Sequence, residues 1–263
     1  VSALVLYEEQ DHVATLTLNR PEKRNAMSPD MLVAMRDYVQ QVETAGTTRV
    51  LILRGQGTQA FTAGYDIGRL PERQGTQRLT RRDEPSLFTQ MIDAVRQCPI
   101  PTIAMIHGFC MGGGLELAAT CDIRVAAETA TFRMPPARLG VLYSGEGLLR
   151  FVNLIGVANT CEIFLTACTF DAERARSMGL VNHVLSAAAV EQHTYSMAQQ
   201  IAHNAPLSVR HTKRVLALVQ RFQDFSPHAE EIRQLREACM NSDDFQEGRR
   251  AFLEKRPPVF HGR

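Results

Sequence analysis

Three consecutive glycines, Gly112-Gly113-Gly114, separate an apolar β-like run, Thr102-Ile103-Ala104-Met105-Ile106, from an apolar helical segment opening at Leu115. Glycine lets backbone approach a neighbouring segment or a ligand closely, and a helix N-terminus aims unpaired N–H groups at developing negative charge. The junction therefore sets a strand's end against a helix's start. It does not end in the Gly-Lys-Ser/Thr of a Walker-type phosphate loop, and it does not match the dinucleotide fingerprint Gly-x-Gly-x-x-Gly. Two readings remain: tight helix–strand packing, or backbone donors for an oxyanion.

The chain around this junction alternates strands and helices up to about residue 185, the pattern of an α/β layer fold. Val13–Leu18, Val50–Leu53, Thr102–Ile106 and Ile123–Ala126 read as strands. Between the first two, Ser28 is an N-cap and Pro29 the first helical residue; Leu32, Met35, Val39 and Val42 repeat at helical spacing, and Gly46 ends the helix. A second helix starts near Ser86, with Leu87, Met91 and Val95 on one face, and stops at Cys98-Pro99-Ile100-Pro101. The polar stretch from Pro71 to Asp83, with Arg73, Arg78, Arg81 and Arg82, reads as a solvated surface loop. Beyond residue 190 only helical patterns occur, near 190–203, 206–223, 227–241 and 243–255. The expected organisation is a core over residues 1–190 and a helical region over 191–263.

A chain of 263 residues can build one substantial core with a smaller appendage. Its 29 basic against 28 acidic residues offer no basic stripe for nucleic acid or an anionic membrane surface. The apolar stretch Ile100–Cys121 is interrupted by Pro101, His107 and Glu116, so it is not read as a membrane span. Val1–Gln10 carries no basic segment before its apolar run, and a cytoplasmic location is expected. The six cysteines include no Cys-x-x-Cys; four lie in apolar segments, so neither a disulfide framework nor a metal site is expected. His107, at a buried strand end, reads as a hydrogen-bonded structural histidine, and Ser144 has no partners for covalent catalysis.

Glu116 sits among Leu115, Leu117, Ala118 and Ala119 in the first turn after the glycines. A carboxylate in an apolar setting has its pKa raised, which suits general acid–base work; a plain helix-dipole role is the competing reading. Ala60-Phe61-Thr62-Ala63-Gly64-Tyr65-Asp66-Ile67 follows the strand Val50–Leu53 and belongs at a strand's carboxyl end, where α/β folds bind ligands.

Taken together, these pieces resemble the enoyl-CoA hydratase/isomerase (crotonase) superfamily. The resemblance is carried by Arg20-Pro21-Glu22-Lys23-Arg24-Asn25-Ala26, by Phe61–Ile67, by Pro101–Ala104 through Gly112–Ala118 to Cys121-Asp122, and by Ala175 to Val181. Gly248 and Ala251–Arg256 extend it to the C-terminal region. It implies a ββα spiral core, a C-terminal helical region used in trimer assembly (trimer or dimer of trimers), and a coenzyme A thioester as substrate, with no separate cofactor. Backbone N–H groups of Tyr65 and Gly113 would form an oxyanion hole. Arg24, Ala26, Ala63, Asp66 and Ile67 would line the coenzyme A path, and Phe252 and Lys255 would reach a neighbouring subunit's nucleotide. Gly68 stands where many relatives have Lys, and Arg69 follows it.

The family's hydratases use two glutamates. Glu116 matches the first, but Pro136 holds the position of the second, and proline cannot transfer a proton. Glu146 lies two positions beyond Ser144, the site where several relatives place a carboxylate; the competing reading is a salt bridge from Glu146 to Arg138 or Arg150. Leu139-Gly140-Val141-x-Tyr143 resembles the methylmalonyl-CoA decarboxylase branch, as do Leu165-Thr166-Ala167, Gly179–Val184 and Asp244–Gly248. That branch supplies His where Tyr65 stands here. The resemblance implies an enolate formed by decarboxylation of a malonyl-type thioester, with Glu116 and Tyr143 beside the reacting carbon. Hydration or isomerisation through Glu116, helped by Glu146, is the alternative, and a binding protein without chemistry is a third reading. Tyr143 as simple packing stays open.

Overall fold

The structure is a computed structural model that describes residues 3–66, 85–139, 141–221, 229–254 and 256–263. Ile67, Gly140 and Lys255 lie outside the described residues, as do Gly68, Arg69 and the expected polar loop.

Two sheets form the core. The larger contains β1 (Val5–Gln10), β2 (Val13–Leu18), β3 (Val50–Gly55), β5 (Thr102–Ile106), β7 (Ile123–Ala127) and β10 (His183–Leu185) in the order β1-β2-β3-β5-β7-β10. Only the β1–β2 hairpin is antiparallel, with Val5 opposite Leu18; from β2 onward the strands are parallel, with Thr15 beside Ile52 and Ile52 beside Ile103. The smaller sheet holds β4 (Ala60–Thr62), β6 (Phe109–Met111), β8 (Thr131–Arg133) and β9 (Thr169–Asp171) in that order. Strands β3, β5 and β7 each step across to a strand of the small sheet, β4, β6 and β8. Helices α2 (Leu87–Gln97) and α3 (Gly113–Thr120) follow the first two of these steps, and the repeated step is the ββα spiral.

Alternation along the parallel strands divides the core. Leu16, Leu18, Leu51, Leu53, Ala104 and Ile106 face inward with α2, α3 and α1 (Pro29–Ala45). Val13, Val50, Ile52, Ile103, Met105 and Val125 face outward beneath Val190, Ala198 and Ala202 of α6 (Val190–Ala202). The expected division at 190/191 thus falls in the first turn of a helix that covers the larger sheet. The caps of α1 match the sequence reading: the Ser28 hydroxyl accepts from the Met31 N–H, and Gly46 follows with φ of 69°.

Helix α3 begins at Gly113, two residues ahead of the expected Leu115, because Gly112 itself is the N-cap. The three-residue strands of the small sheet were not foreseen, being too short for a periodic signal. The C-terminal patterns fold as α6, α7 (Pro206–Arg221), α8 (Ala229–Met240) and α9 (Asp243–Glu254). One described helix, α4 (Gly145–Thr166), is long and apolar enough by length and composition to cross a membrane. It is broken at Gly156, with φ 76° and ψ 166°, and its Phe151, Ile155, Ile163 and Phe164 pack into the core.

Candidate active site

The two glycine-bearing segments meet where β4 and β6 end. Gly64 adopts φ of 93°, and a Cβ there would lie 2.6 Å from the Met111 carbonyl oxygen and 3.2 Å from the Gly113 nitrogen. This is a close backbone approach that only glycine permits. Tyr65 bridges Met27 in parallel through its neighbours: Met27 N–H donates to the Gly64 carbonyl at 2.8 Å, and Asp66 N–H donates to the Met27 carbonyl at 3.0 Å. Strand alternation then turns the Tyr65 N–H to the opposite side, and no acceptor meets it among the described residues. Gly112 N–H is taken by the Arg133 carbonyl at 2.9 Å, whereas Gly113 N–H, at the helix start, has no acceptor among the described residues. Gly113 is only half-buried, with Phe88 and Met27 beside it.

Glu116, in the first turn of α3, is buried at 6% exposure. One carboxylate oxygen accepts the Tyr143 hydroxyl. The other accepts Arg150 Nη1 at 2.6 Å, an ion pair with side-chain exposures of 15% for Arg150 and 8% for Glu116. Burial raises the Tyr143 phenol far above its ordinary range, and the Glu116 charge raises it further, so the hydroxyl stays a donor. The ring also packs edge-on against Phe164 at 5.2 Å. Tyr143 is therefore both packing and a hydrogen-bond partner of Glu116.

Arg150 was read from sequence only as a partner for Glu146, which precedes it by four residues. The structure corrects this. Ser144 caps α4 by accepting from the Gly147 N–H at 3.0 Å, so Glu146 falls in the exposed first turn while Arg150, one turn on, reaches Glu116. Glu146 makes no ion pair among the described residues and does not join the Glu116 cluster. Pro136 is buried in a 3-10 turn, Pro136–Leu139. Among the described residues no group of three or more His, Cys, Asp or Glu could hold a metal ion. His107 is buried at 6% exposure, and its Nδ1 finds no partner among the described residues, where the sequence reading expected a hydrogen-bonded histidine.

A sequence profile for enoyl-CoA hydratase/isomerase matches residues 8–263. The chain belongs to this family. It is 35% identical over 256 residues to the methylmalonyl-CoA decarboxylase of Escherichia coli, covering 95% of each chain. It is 30% identical to the short-chain-enoyl-CoA hydratase of Clostridium acetobutylicum, over 96% of this chain and 95% of that one. Its fold superposes on an enoyl-CoA hydratase from Bacillus anthracis with a TM-score of 0.90 at 32% identity, covering 99% of this chain and all of the other. The protein is a crotonase-fold enzyme acting on coenzyme A thioesters.

Of the residues read as a coenzyme A path, Arg24, Ala26, Ala63 and Asp66 come together around the Met27–Tyr65 bridge. Ala63 N–H donates to the Arg24 carbonyl at 2.9 Å, and Arg20 pairs with Asp66 at 3.0 Å while also donating to the Ala26 carbonyl at 2.8 Å. The exposed Arg24 guanidinium lies 5.0 Å from the Phe109 ring centroid. Phe252 belongs to α9, away from this loop in sequence. Sequence reasoning missed Arg150, Asn25 and Thr62. Asn25, 1% exposed, folds the Arg20–Ala26 loop: its amide donates to the Ala60 carbonyl at 2.8 Å and its oxygen accepts the Arg20 N–H at 3.1 Å. The loop turns on two successive left-handed residues, Arg24 and Asn25 at φ 51° and 55°; asparagine is enriched in that conformation and was the available sequence signal, whereas arginine is not.

Proposed function

We propose that this enzyme decarboxylates a malonyl-type coenzyme A thioester through a thioester enolate. The thioester oxygen would accept from the Tyr65 and Gly113 N–H groups. The bond between the α-carbon and the carboxylate breaks, carbon dioxide leaves, and its electron pair passes into the enolate, whose oxygen the two amides stabilise. Water then supplies the proton to the α-carbon. Removing one such amide donor typically costs ~3–4 kcal/mol of transition-state stabilisation. Arg24, Ala26, Ala63, Asp66 and Ile67 would hold coenzyme A, and Phe252 and Lys255 would serve a neighbouring subunit in a trimer or dimer of trimers.

The observation that carries this reading is the state of Glu116. It lies in the first turn after the triple glycine, and both its oxygens are engaged, by Tyr143 and Arg150. Water addition by a glutamate pair needs a second acid where Pro136 stands. Loss of carbon dioxide needs neither.

Mass spectrometry of thioesters after incubation with methylmalonyl-CoA, crotonyl-CoA and a 3-enoyl-CoA tests the proposal. Loss of carbon dioxide from the first, with the others unchanged, is expected. Water added to crotonyl-CoA or a migrated double bond, with methylmalonyl-CoA untouched, would refute it and make Glu116 the acid–base group of a hydratase or isomerase.

A further inference from the structure

Thr62, at the end of β4, is fully buried and carries no charge, yet it joins the segments that bear the two amides, of Tyr65 and Gly113, that meet no acceptor among the described residues. Its hydroxyl donates to the Asn25 carbonyl at 2.7 Å and accepts the Gly64 N–H at 3.1 Å. The proton and one lone pair of the hydroxyl are thus both committed, which fixes its rotor. On its other side the residue meets α3: a Cβ at Gly114 would overlap the Thr62 methyl and lie 2.8 Å from the Thr62 carbonyl oxygen. Gly64 leads directly to Tyr65, and Gly114 directly follows Gly113. One side chain therefore ties the Arg20–Ala26 loop, the Tyr65 amide and the Gly113 amide together.

We propose that Thr62 is a positioning residue that sets the spacing between the Tyr65 and Gly113 N–H groups around a thioester oxygen. The proposal rests on the oxyanion reading of those amides but not on the choice of decarboxylation. Two donors polarise a carbonyl only when both point at the same oxygen, and a misplacement of about 1 Å can cost ~100-fold in rate. Without the hydroxyl, Gly64 N–H and the Asn25 carbonyl lose their shared partner, the Ala63-Gly64 peptide loses its tether, and the Met27 bridge alone is left to orient the Gly64-Tyr65 peptide against Gly113.

The test uses Thr62→Val, which keeps the shape and removes the hydroxyl, and Thr62→Ser, which keeps both hydrogen bonds and removes the methyl. The probe is butyryl-CoA labelled with carbon-13 at the thioester carbonyl, read by isotope-edited infrared spectroscopy when bound. The wild type and the serine variant are expected to move the carbonyl band to lower wavenumber, and the valine variant to lose most of that shift. Its kcat, on whichever thioester the wild type converts, should fall about 10- to 100-fold while KM stays near the wild-type value. A valine variant that keeps the full band shift and kcat, and is merely less heat-stable, would overturn the proposal. Absence of any shift in the wild type would instead overturn the oxyanion reading, and this proposal with it. Should the valine variant not fold, Thr62→Cys preserves the volume with a weak donor and should give an intermediate shift; a full shift there would equally overturn the assignment.

Discussion

Replacing Glu116 by glutamine separates what this carboxylate does to substrate from what it does to its neighbours. In the wild type its charge faces Arg150 at 2.6 Å, and the pair is largely shut off from water. Glutamine fills the same space but carries no charge, so Arg150 is left as an unmatched cation beside the proposed acyl site. A charge-assisted hydrogen bond is worth roughly 1.5–3 kcal/mol, so a free acyl carboxylate should bind the variant about 10- to 100-fold more tightly than the wild type does. Decarboxylation should slow by a comparable factor. A carboxylate locked to Arg150 is stabilised in the ground state, whereas charge moves toward the thioester oxygen in the transition state. Competition binding of succinyl-CoA against butyryl-CoA, near-isosteres differing in the terminal charge, reads the first effect, and carbon dioxide release from methylmalonyl-CoA reads the second. An unchanged succinyl-to-butyryl ratio in Glu116→Gln would refute the idea that Glu116 masks Arg150. Loss of crotonyl-CoA hydration without any gain in succinyl-CoA affinity would point to acid–base work by Glu116.

Arg150→Met strands the buried Glu116 carboxylate and should cost about 3–5 kcal/mol in urea unfolding, while Glu116→Gln/Arg150→Met costs less than Arg150→Met alone; a loss below about 1 kcal/mol would show the pair to be dispensable. Burial, and then the Glu116 charge, lift the folded-state pKa of Tyr143 above the ordinary phenol value of 10.0, so its contribution to stability is complete below that pH and is lost as pH climbs through the folded value. Tyr143→Phe should flatten the alkaline fall in stability measured by urea unfolding between about pH 9 and 11, and an unchanged slope would contradict the assigned cause. Glu146→Gln should leave turnover unchanged, because Glu146 is exposed in the first turn of α4; a large drop in kcat would bring it into the site.

What the sequence revealed and what it hid divide along one physical line. Local signals were legible: Ser28, Pro29 and Gly46 bound α1, Ser86 caps α2, and the C-terminal helices follow their periodicity. The triple glycine was legible as a close-approach position and Gly64 only as part of a segment at a strand's carboxyl end, though α3 starts on Gly113 because its first turn is built against Thr62 and Phe88, where helix propensity has little say. Arg150 was hidden because its partner lies 34 residues away, and its fourth-residue spacing from Glu146 offered a false local match. Thr62 was hidden because a buried threonine in a strand is ordinary, and its hydroxyl matters only through the loop that Asn25 folds beside it.

The electrostatics of the site follow from where α3 and α4 begin. Glu116 lies in the first turn of α3 and Tyr143 immediately precedes the Ser144 cap of α4, so two helix N-termini converge on the carboxylate. Gly147 permits this approach, since a Cβ there would lie 2.7 Å from the Tyr143 ring. Each N-terminus contributes roughly half a positive charge and Arg150 a full one, against the single negative charge of Glu116. The balance is positive by about one charge before substrate binds. In the proposed decarboxylation the substrate carboxylate and the enolate carry the same charge, so this excess alone does not favour the enolate; what changes is where the negative charge sits, from the carboxylate to the thioester oxygen. On the proposed reading the enolate would be favoured by the Gly113 and Tyr65 amides, whose directions are set by the start of α3 and by the Met27 bridge before charge reaches the thioester oxygen.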